Sequence, residues 1–285
     1  MRPFAEVRAP GKLVLLGEYA VLDGAPALVI AIDRGVRCEI VEGNGIETPD
    51  GDTRFVAPAL INAPQALYRF SSWNPVDLPG KPGFGGSAAA CVAACVAAGR
   101  PASDAFAIHH AVQGGGSGID IAASIHGGAL WFEDGAPRPA APLPQPPSVI
   151  WSGCSAKTGP RVRQYRAWAD ADPAGKQRFL DRSRAATDLA GDDPIVAFRL
   201  CYAALVEMSE AAGVAYRSAG LDVIVALAAE RGGAAKPSGA GGGDCAVAIF
   251  SDAAQQADFE AACAAEGLVP IPVALSEGAA ASPVR

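Results

Sequence analysis

The chain has no apolar run approaching about 18 residues, so no segment reads as a membrane-spanning helix. Residues Met1–Pro10 lack the apolar centre of a secretory signal, and a cytoplasmic protein is the expectation. Its seven cysteines (Cys38, Cys91, Cys95, Cys154, Cys201, Cys245 and Cys263) form no Cys-x-x-Cys pair. With only three histidines, two of them adjacent as His109 and His110, a zinc site is not expected. Cys91 and Cys95, spaced like one helix face in an Ala/Val context, read as small buried hydrophobes. Positive charge is scarce: the net charge of −7 argues against a nucleic-acid or anionic-membrane partner, so any bound phosphate needs locally placed cations. Lysine is scarcer still, five against 18 arginines, and Lys12, Lys81 and Lys236 all fall in glycine-rich segments. Neither G-x-x-x-x-G-K-[ST] nor a strand–G-x-G-x-x-G–helix pattern occurs, which excludes the two commonest nucleotide cradles.

What is present is a globular composition, 50% hydrophobic and 19% charged, over 285 residues, enough for one large domain or two ordinary ones. Three glycine-rich segments punctuate it: Pro10-Gly11-Lys12, Lys81-Pro82-Gly83-Phe84-Gly85-Gly86-Ser87, and Lys236-Pro237-Ser238-Gly239-Ala240-Gly241-Gly242-Gly243-Asp244. The middle one runs into an alanine-rich helix pattern, Ser87–Ala98. Glycine lets consecutive backbone N–H groups turn inward, and a helix start adds unpaired amides and the positive end of its dipole. A phosphorylated ligand, a nucleotide first of all, is the expected occupant.

The N-terminal pattern over Ala5–Ile40 predicts antiparallel strands broken at Gly17-Glu18. Helices are expected over Ala57–Phe70, Ser87–Ala98, a segment capped by Ser103 and ending near Gly114, and Ile119–Ile125, followed by a strand at Ala129–Phe132. Ala136–Ser148 holds six prolines and suggests a long hairpin connection or an interdomain boundary. Beyond it the pattern predicts a strand at Val149–Trp151, a polar loop to Pro160, and helices near Lys176–Leu189, Ile195–Ala212 and Leu221–Arg231. A β-α-β unit follows (Cys245–Phe250, Ala253–Glu266, Leu268–Ala274), and then a tail, Ser276–Arg285, expected to fray.

Four blocks read in order carry a family resemblance. Ala9–Leu22, containing Pro10-Gly11-Lys12 and Gly17-Glu18-Tyr19, resembles the first motif of the GHMP kinases. Gly83-Phe84-Gly85-Gly86-Ser87-Ala88-Ala89 resembles their phosphate loop, Gly116-Ser117-Gly118-Ile119-Asp120 their catalytic-aspartate segment, and Lys236–Cys245 their third motif. The resemblance spans nearly the whole chain. Its details are most similar to the phosphomevalonate kinases: Tyr19 stands where mevalonate kinases and galactokinases usually have histidine, and Trp151–Thr158 is similar to a W-[ST]-G-x-x-A-x-T loop. The resemblance implies a two-domain α+β fold, with an ATP-binding domain over residues 1–148 and a ferredoxin-like domain over 149–285.

It also implies ATP- and Mg²⁺-dependent phosphoryl transfer to 5-phosphomevalonate, in a monomer or homodimer with no nucleic-acid or membrane partner. Lys12 would neutralise charge at the transfer and Asp120 would pair with it and orient or deprotonate the acceptor. Lys81, Gly83, Gly85, Gly86, Ser87 and Ala88 would hold ATP, with Ser87 also a Mg²⁺ ligand. Tyr19, Ser117, Gly118, Ser155, Lys157, Thr158, Lys236, Ser238, Gly239, Ala240 and Gly241 would face the acceptor. Plainer readings stand beside these: Ser87 as an N-cap, Asp120 as a helix-start aspartate, and Lys157, Arg161 and Arg163 as a solvated charged face rather than cations for a phosphorylated acceptor. Two features depart from the pattern. Gly86 replaces a usual serine, and His109 lies about where some members carry an acidic second Mg²⁺ ligand. Mevalonate kinase, or a non-catalytic GHMP-like binding protein, are the alternatives. Ala57–Trp73 is the expected adenine region, with no residue singled out.

Overall fold

The computed structural model describes residues 4–141, 143 and 145–283. Of the positions discussed above, Met1–Pro3, Pro142, Pro144, Val284 and Arg285 lie outside the described residues. In chain order the elements are β1 (Phe4–Leu16), a 3-10 turn (Ala20–Asp23), β2 (Ala27–Val41), β3 (Gly45–Glu47), β4 (Leu67–Trp73), α1 (Gly86–Ala97), α2 (Asp104–Gln113), α3 (Ile119–His126), β5 (Ala129–Glu133) and β6 (Ala136–Pro139). They continue with β7 (Ser148–Trp151), α4 (Thr158–Ala171), α5 (Pro173–Asp188), α6 (Pro194–Ala212), α7 (Ala219–Glu230), β8 (Ala234–Pro237), β9 (Cys245–Ile249), α8 (Ala253–Ala265), β10 (Val269–Pro270) and β11 (Ala280–Pro283).

Two sheets organise these elements. The first has the order β11-β1-β2-β4-β3, with β5 pairing β2 and β6 extending it. The second is a four-stranded antiparallel sheet, β10-β7-β9-β8, in the ferredoxin-like manner. Helix α1 packs across β1 and β2, where Ala88, Cys91, Val92 and Cys95 meet Val7, Ala9, Cys38 and Phe70. Its alanine content suits a helix with no room for bulk, and Gly99 at φ 74° ends it. Helices α7 and α8 cover one face of the second sheet through Leu221, Ile224, Phe259 and Cys263. A third cluster joins the sheets: Leu13, Leu15, Ile30 and Ile32 of β1 and β2 share it with Val149, Tyr165, Phe198, Leu205 and Val247. Asp172 and Asp193 start α5 and α6 by accepting the N–H groups of Gly175 and Val196, each followed by proline at the first helical position.

Four expectations change. Ala57–Phe70 is not a helix. Pro58 and Pro64 deny it amides, Asn62 sits at φ 64°, and Leu67–Trp73 alternates as a strand with Tyr68 and Phe70 buried. The polar stretch after Thr158 is instead helix α4, with Tyr165 and Ala169 buried on one face. Ser103 precedes α2 in helical geometry without a side-chain cap bond. The tail does not fray: β11 pairs antiparallel with β1, from Phe4↔Pro283 to Arg8↔Ala280, and Gly127 and Gly278 pack backbone to backbone beneath it.

Deleting residues 276–285 is therefore expected to leave β1 as an open edge and cost about 2 kcal/mol or more. The check is a thermal melt, where the midpoint should fall by roughly 4 °C or more. An unchanged midpoint would contradict the role given to β11.

Candidate active site

The site begins with a backbone approach. At Gly11 a Cβ would stand 2.5 Å from the Phe84 carbonyl oxygen and 2.6 Å from that of Arg34, so only glycine fits. The register of β1 on β2 shifts between Pro10 and Gly11, with Asp33 and Arg34 the extra residues on the β2 side, and the Lys12 N–H donates to the Phe84 carbonyl at 2.9 Å. The Gly83–Ser87 loop is thereby fastened to β1. Gly83 and Gly85 turn it at φ 80° and 75°, and α1 starts at Gly86. First-turn helix amides have no intrahelical acceptor and face a phosphate favourably.

Beside this loop lies a cavity of about 600 Å³. Lys12 enters it from β1, and its Nζ lies 3.7 Å from Oδ1 of Asp120 in the first turn of α3. Gly85 lies against both side chains, with its Cβ direction 3.2 Å from Lys12 Cγ and 3.5 Å from Asp120 Oδ2. Ser117 accepts the Ile119 N–H at 3.3 Å and fixes the turn that presents Asp120. Tyr19 is held at φ 60°, and its O–H donates to the Ala240 carbonyl at 2.7 Å. Burial pushes the Tyr19 phenol far above its ordinary value, so it stays a neutral donor.

Of the residues singled out from sequence, the cavity brings together Lys12, Tyr19, Gly83, Ser117, Gly118, Asp120, Thr158, Ser238, Gly239 and Ala240. Gly85, Gly86 and Ser87 border it at the start of α1. Six others do not line the cavity. Lys81 is exposed and pairs with Asp50 at 3.2 Å on the surface. Ala88 is buried, and its N–H is spent on the Gly85 carbonyl. Ser155 and Lys157 are exposed: the Ser155 O–H donates to the Lys81 carbonyl at 2.9 Å, and the Lys157 carbonyl accepts from Arg161. Gly241 packs on the Tyr216 ring, and Lys236 is wholly buried in an ion pair with Glu18. Arg161 donates to the backbone carbonyls of Ala215, Lys157 and Gly242, so it braces the third glycine segment.

Three further ionisable residues of the cavity, Glu18, Asp244 and His109, were assigned no role from sequence. Glu18 was visible only as part of a motif. Asp244, at φ 56°, accepts the Ala156 N–H at 2.8 Å and touches Gly83, where a Cβ would fall 2.5 Å from its Oδ2. Burial raises its carboxyl despite that bond and the cations Lys12 and Arg161. His109, 8% exposed, sets Nε2 3.2 Å from Ser87 Oγ and stacks on Phe55 at 4.9 Å between ring centres. Burial lowers its pKa against the pull of Asp120. Among the described residues no three His, Cys, Asp or Glu side chains gather as a metal cluster. A Mg²⁺ ion carried by a triphosphate needs few protein ligands, and the hydroxyl oxygen of Ser87 fits that role.

The match to known proteins is consistent along the chain. The family model described as GHMP kinases C terminal matches residues 199–267. The chain is 27% identical to the phosphomevalonate kinase of Streptomyces sp. (strain CL190), covering 85% of this chain and 88% of that one. It is 26% identical to the mevalonate kinase of Thermococcus sibiricus, covering 94% and 95%. In structure it is similar to the Lin0012 protein from Listeria innocua (TM-score 0.84, 23% identity, covering 96% of this chain and 98% of that one). It is also similar to the Streptococcus pneumoniae phosphomevalonate kinase in complex with phosphomevalonate and AMPPNP (TM-score 0.73, 19% identity, covering 95% and 99%). No helix among the described residues is long and apolar enough to cross a membrane.

Two of the three glycines of the Gly83–Ser87 loop give a paired test. Gly83→Ala combines a left-handed φ with a collision against Asp244 and is expected to cost roughly 2 kcal/mol or more. Gly86→Ala meets nothing within 4 Å in the first turn of α1 and should leave stability unchanged or slightly higher. Parallel thermal melts check this, and equal midpoints for the two variants would contradict the loop geometry.

Proposed function

Since the chain belongs to the GHMP kinase superfamily, we propose that it transfers the γ-phosphoryl group of ATP to 5-phosphomevalonate, giving the diphosphate used in isoprenoid precursor synthesis. The carrying observation is the Lys12–Asp120 pair, set at 3.7 Å against Gly85 of the phosphate loop. In this reading residues 1–148 form the ATP-binding half and 149–285 the ferredoxin-like half, apart from Ala280–Pro283, which pairs with β1.

Phosphoryl transfer is chiefly positioning and charge neutralisation. The acceptor oxygen bonds to the γ-phosphorus as the bond to the β,γ-bridging oxygen breaks, and ADP leaves with that electron pair. The Gly83–Ser87 backbone and the start of α1 hold the triphosphate. The Lys12 ammonium, its side chain only 9% exposed, offsets the charge shared between donor and acceptor oxygens. Asp120 orients Lys12 and the acceptor, and takes the proton when the acceptor is a hydroxyl. A phosphomonoester acceptor is already largely ionised and has no such need, its second pKa being about 6. Ser87 would hold a Mg²⁺ ion that arrives with the triphosphate, and the ion would supply further neutralisation of the phosphates.

A second reading, mevalonate as acceptor, has its own support. Of the cations offered for a phosphorylated acceptor, Arg161 is spent on backbone carbonyls and Lys157 and Arg163 are exposed, while Lys236 is neutralised by Glu18. The Tyr19 position and the third motif favour 5-phosphomevalonate, and the relatives include both kinds of kinase.

ADP release from ATP and Mg²⁺, with each acceptor offered alone, separates the readings. Turnover of 5-phosphomevalonate is the expected result. Turnover of mevalonate only would install the second reading, and turnover of neither would overturn both. Asp120→Asn and Lys12→Ala are expected to lower kcat by on the order of 10²-fold or more. AMPPNP affinity should stay within about threefold, since uniform binding is not what these groups supply. Collapse of AMPPNP affinity would contradict the assigned roles.

A further inference from the structure

Glu18 and Lys236 form the most deeply buried ion pair among the described residues, with side chains 2% and 0% exposed. Replacing such a pair by apolar side chains of similar volume is often neutral or stabilising, so stability alone does not account for it. Its surroundings point elsewhere. Glu18 Oε1 receives Lys236 Nζ and, at 3.5 Å, the Gly239 N–H, while Oε2 receives the Cys201 S–H at 3.8 Å from α6. Lys236 also donates to the Pro237 carbonyl at 3.2 Å and lies over the Phe198 ring at 5.5 Å.

The residues on either side of the pair make up the cavity wall. Tyr19 follows Glu18 at φ 60°, a conformation that persists only where the surroundings enforce it. Its O–H reaches Ala240, two residues beyond Ser238, which is tied to Val14 in both directions at 3.1 and 3.0 Å. Ser238, Gly239 and Ala240 are therefore each bonded to β1 or its exit, across sequence separations of 224, 221 and 221 residues. Remove the charges, and Gly239 faces only a weaker neutral acceptor while Tyr19 loses the charged anchor next to its strained backbone.

We propose that the Glu18–Lys236 pair is a positioning device for the acceptor wall: it holds Tyr19 and the Gly239–Ala240 backbone in register across the two sheets, and Lys236 acts only through Glu18. The inference rests on the kinase reading for its effect on turnover, but not for its effect on the wall itself.

Two variants test it. Glu18→Asp keeps both charges and withdraws the carboxylate by one methylene. Glu18→Gln with Lys236→Met removes both charges at similar volume and avoids leaving one buried charge alone. Both are expected to keep the wild-type thermal midpoint to within a few degrees and AMPPNP affinity to within about twofold, while the KM for whichever of 5-phosphomevalonate or mevalonate is turned over rises on the order of tenfold. Amide hydrogen exchange at residues 17–19 and 238–241 should quicken in both. A folded variant with wild-type KM and wild-type exchange overturns the proposal. Failure of both variants to fold overturns it too, because the pair is then an element of stability. If the wild type turns over neither acceptor, the kinase reading falls, and the exchange measurement still decides the role of the pair.

Discussion

The absence of a side chain at Gly11 is the constraint on which the rest of the site depends. It allows the Phe84 carbonyl to lie on β1 and accept the Lys12 N–H at 2.9 Å. A loop that would otherwise be an isolated turn becomes part of the first sheet. One backbone bond then sets the distance from the Gly83–Ser87 loop to the Lys12 ammonium, and Lys12 in turn meets Asp120 from α3. Sheet, loop and helix contribute one group each, and they meet beside the place where the β1–β2 register shifts at Pro10-Gly11.

Charge is distributed around this centre with little left over. Lys12 answers Asp120, Lys236 answers Glu18, and Asp244 is met by the Ala156 N–H rather than by a full cation. In a chain of net charge −7, anionic ligands are met by local groups: backbone amides, a helix start and one lysine. Such a site is selective by geometry. Each polar group is held by at least one neighbour, so a ligand displaced from the array finds few alternative partners.

Much of this was legible in the sequence because glycine patterns are local. Pro10-Gly11-Lys12, Gly83–Ser87 and Gly116–Asp120 each state a backbone requirement within a few residues, and the structure places them together around one cavity. Strand periodicity marks β1, β2, β5, β7, β9 and β10, whereas β4 began within a predicted helix and β3, β6, β8 and β11 were not expected as strands. What escaped was non-local. Lys236 was expected to face the acceptor, and only the fold brings Glu18 to it from 218 residues away. His109 shows its contact with Ser87 only when α2 lies beside α1. The pairing of β11 with β1 joins the two ends of the chain, which no window on the sequence contains. Helix α4 was missed for a different reason: its polar face outnumbers the buried Tyr165 and Ala169.

The central claim is that the Gly83–Ser87 loop, Lys12 and Asp120 form a single phosphoryl-transfer centre. A crystal structure with Mg²⁺ and AMPPNP tests it most directly. The triphosphate should lie along the loop and the start of α1, with the γ-phosphorus facing the Lys12–Asp120 side of the cavity. A triphosphate bound elsewhere, or one whose γ-phosphate points away from Lys12 and Asp120, would contradict it.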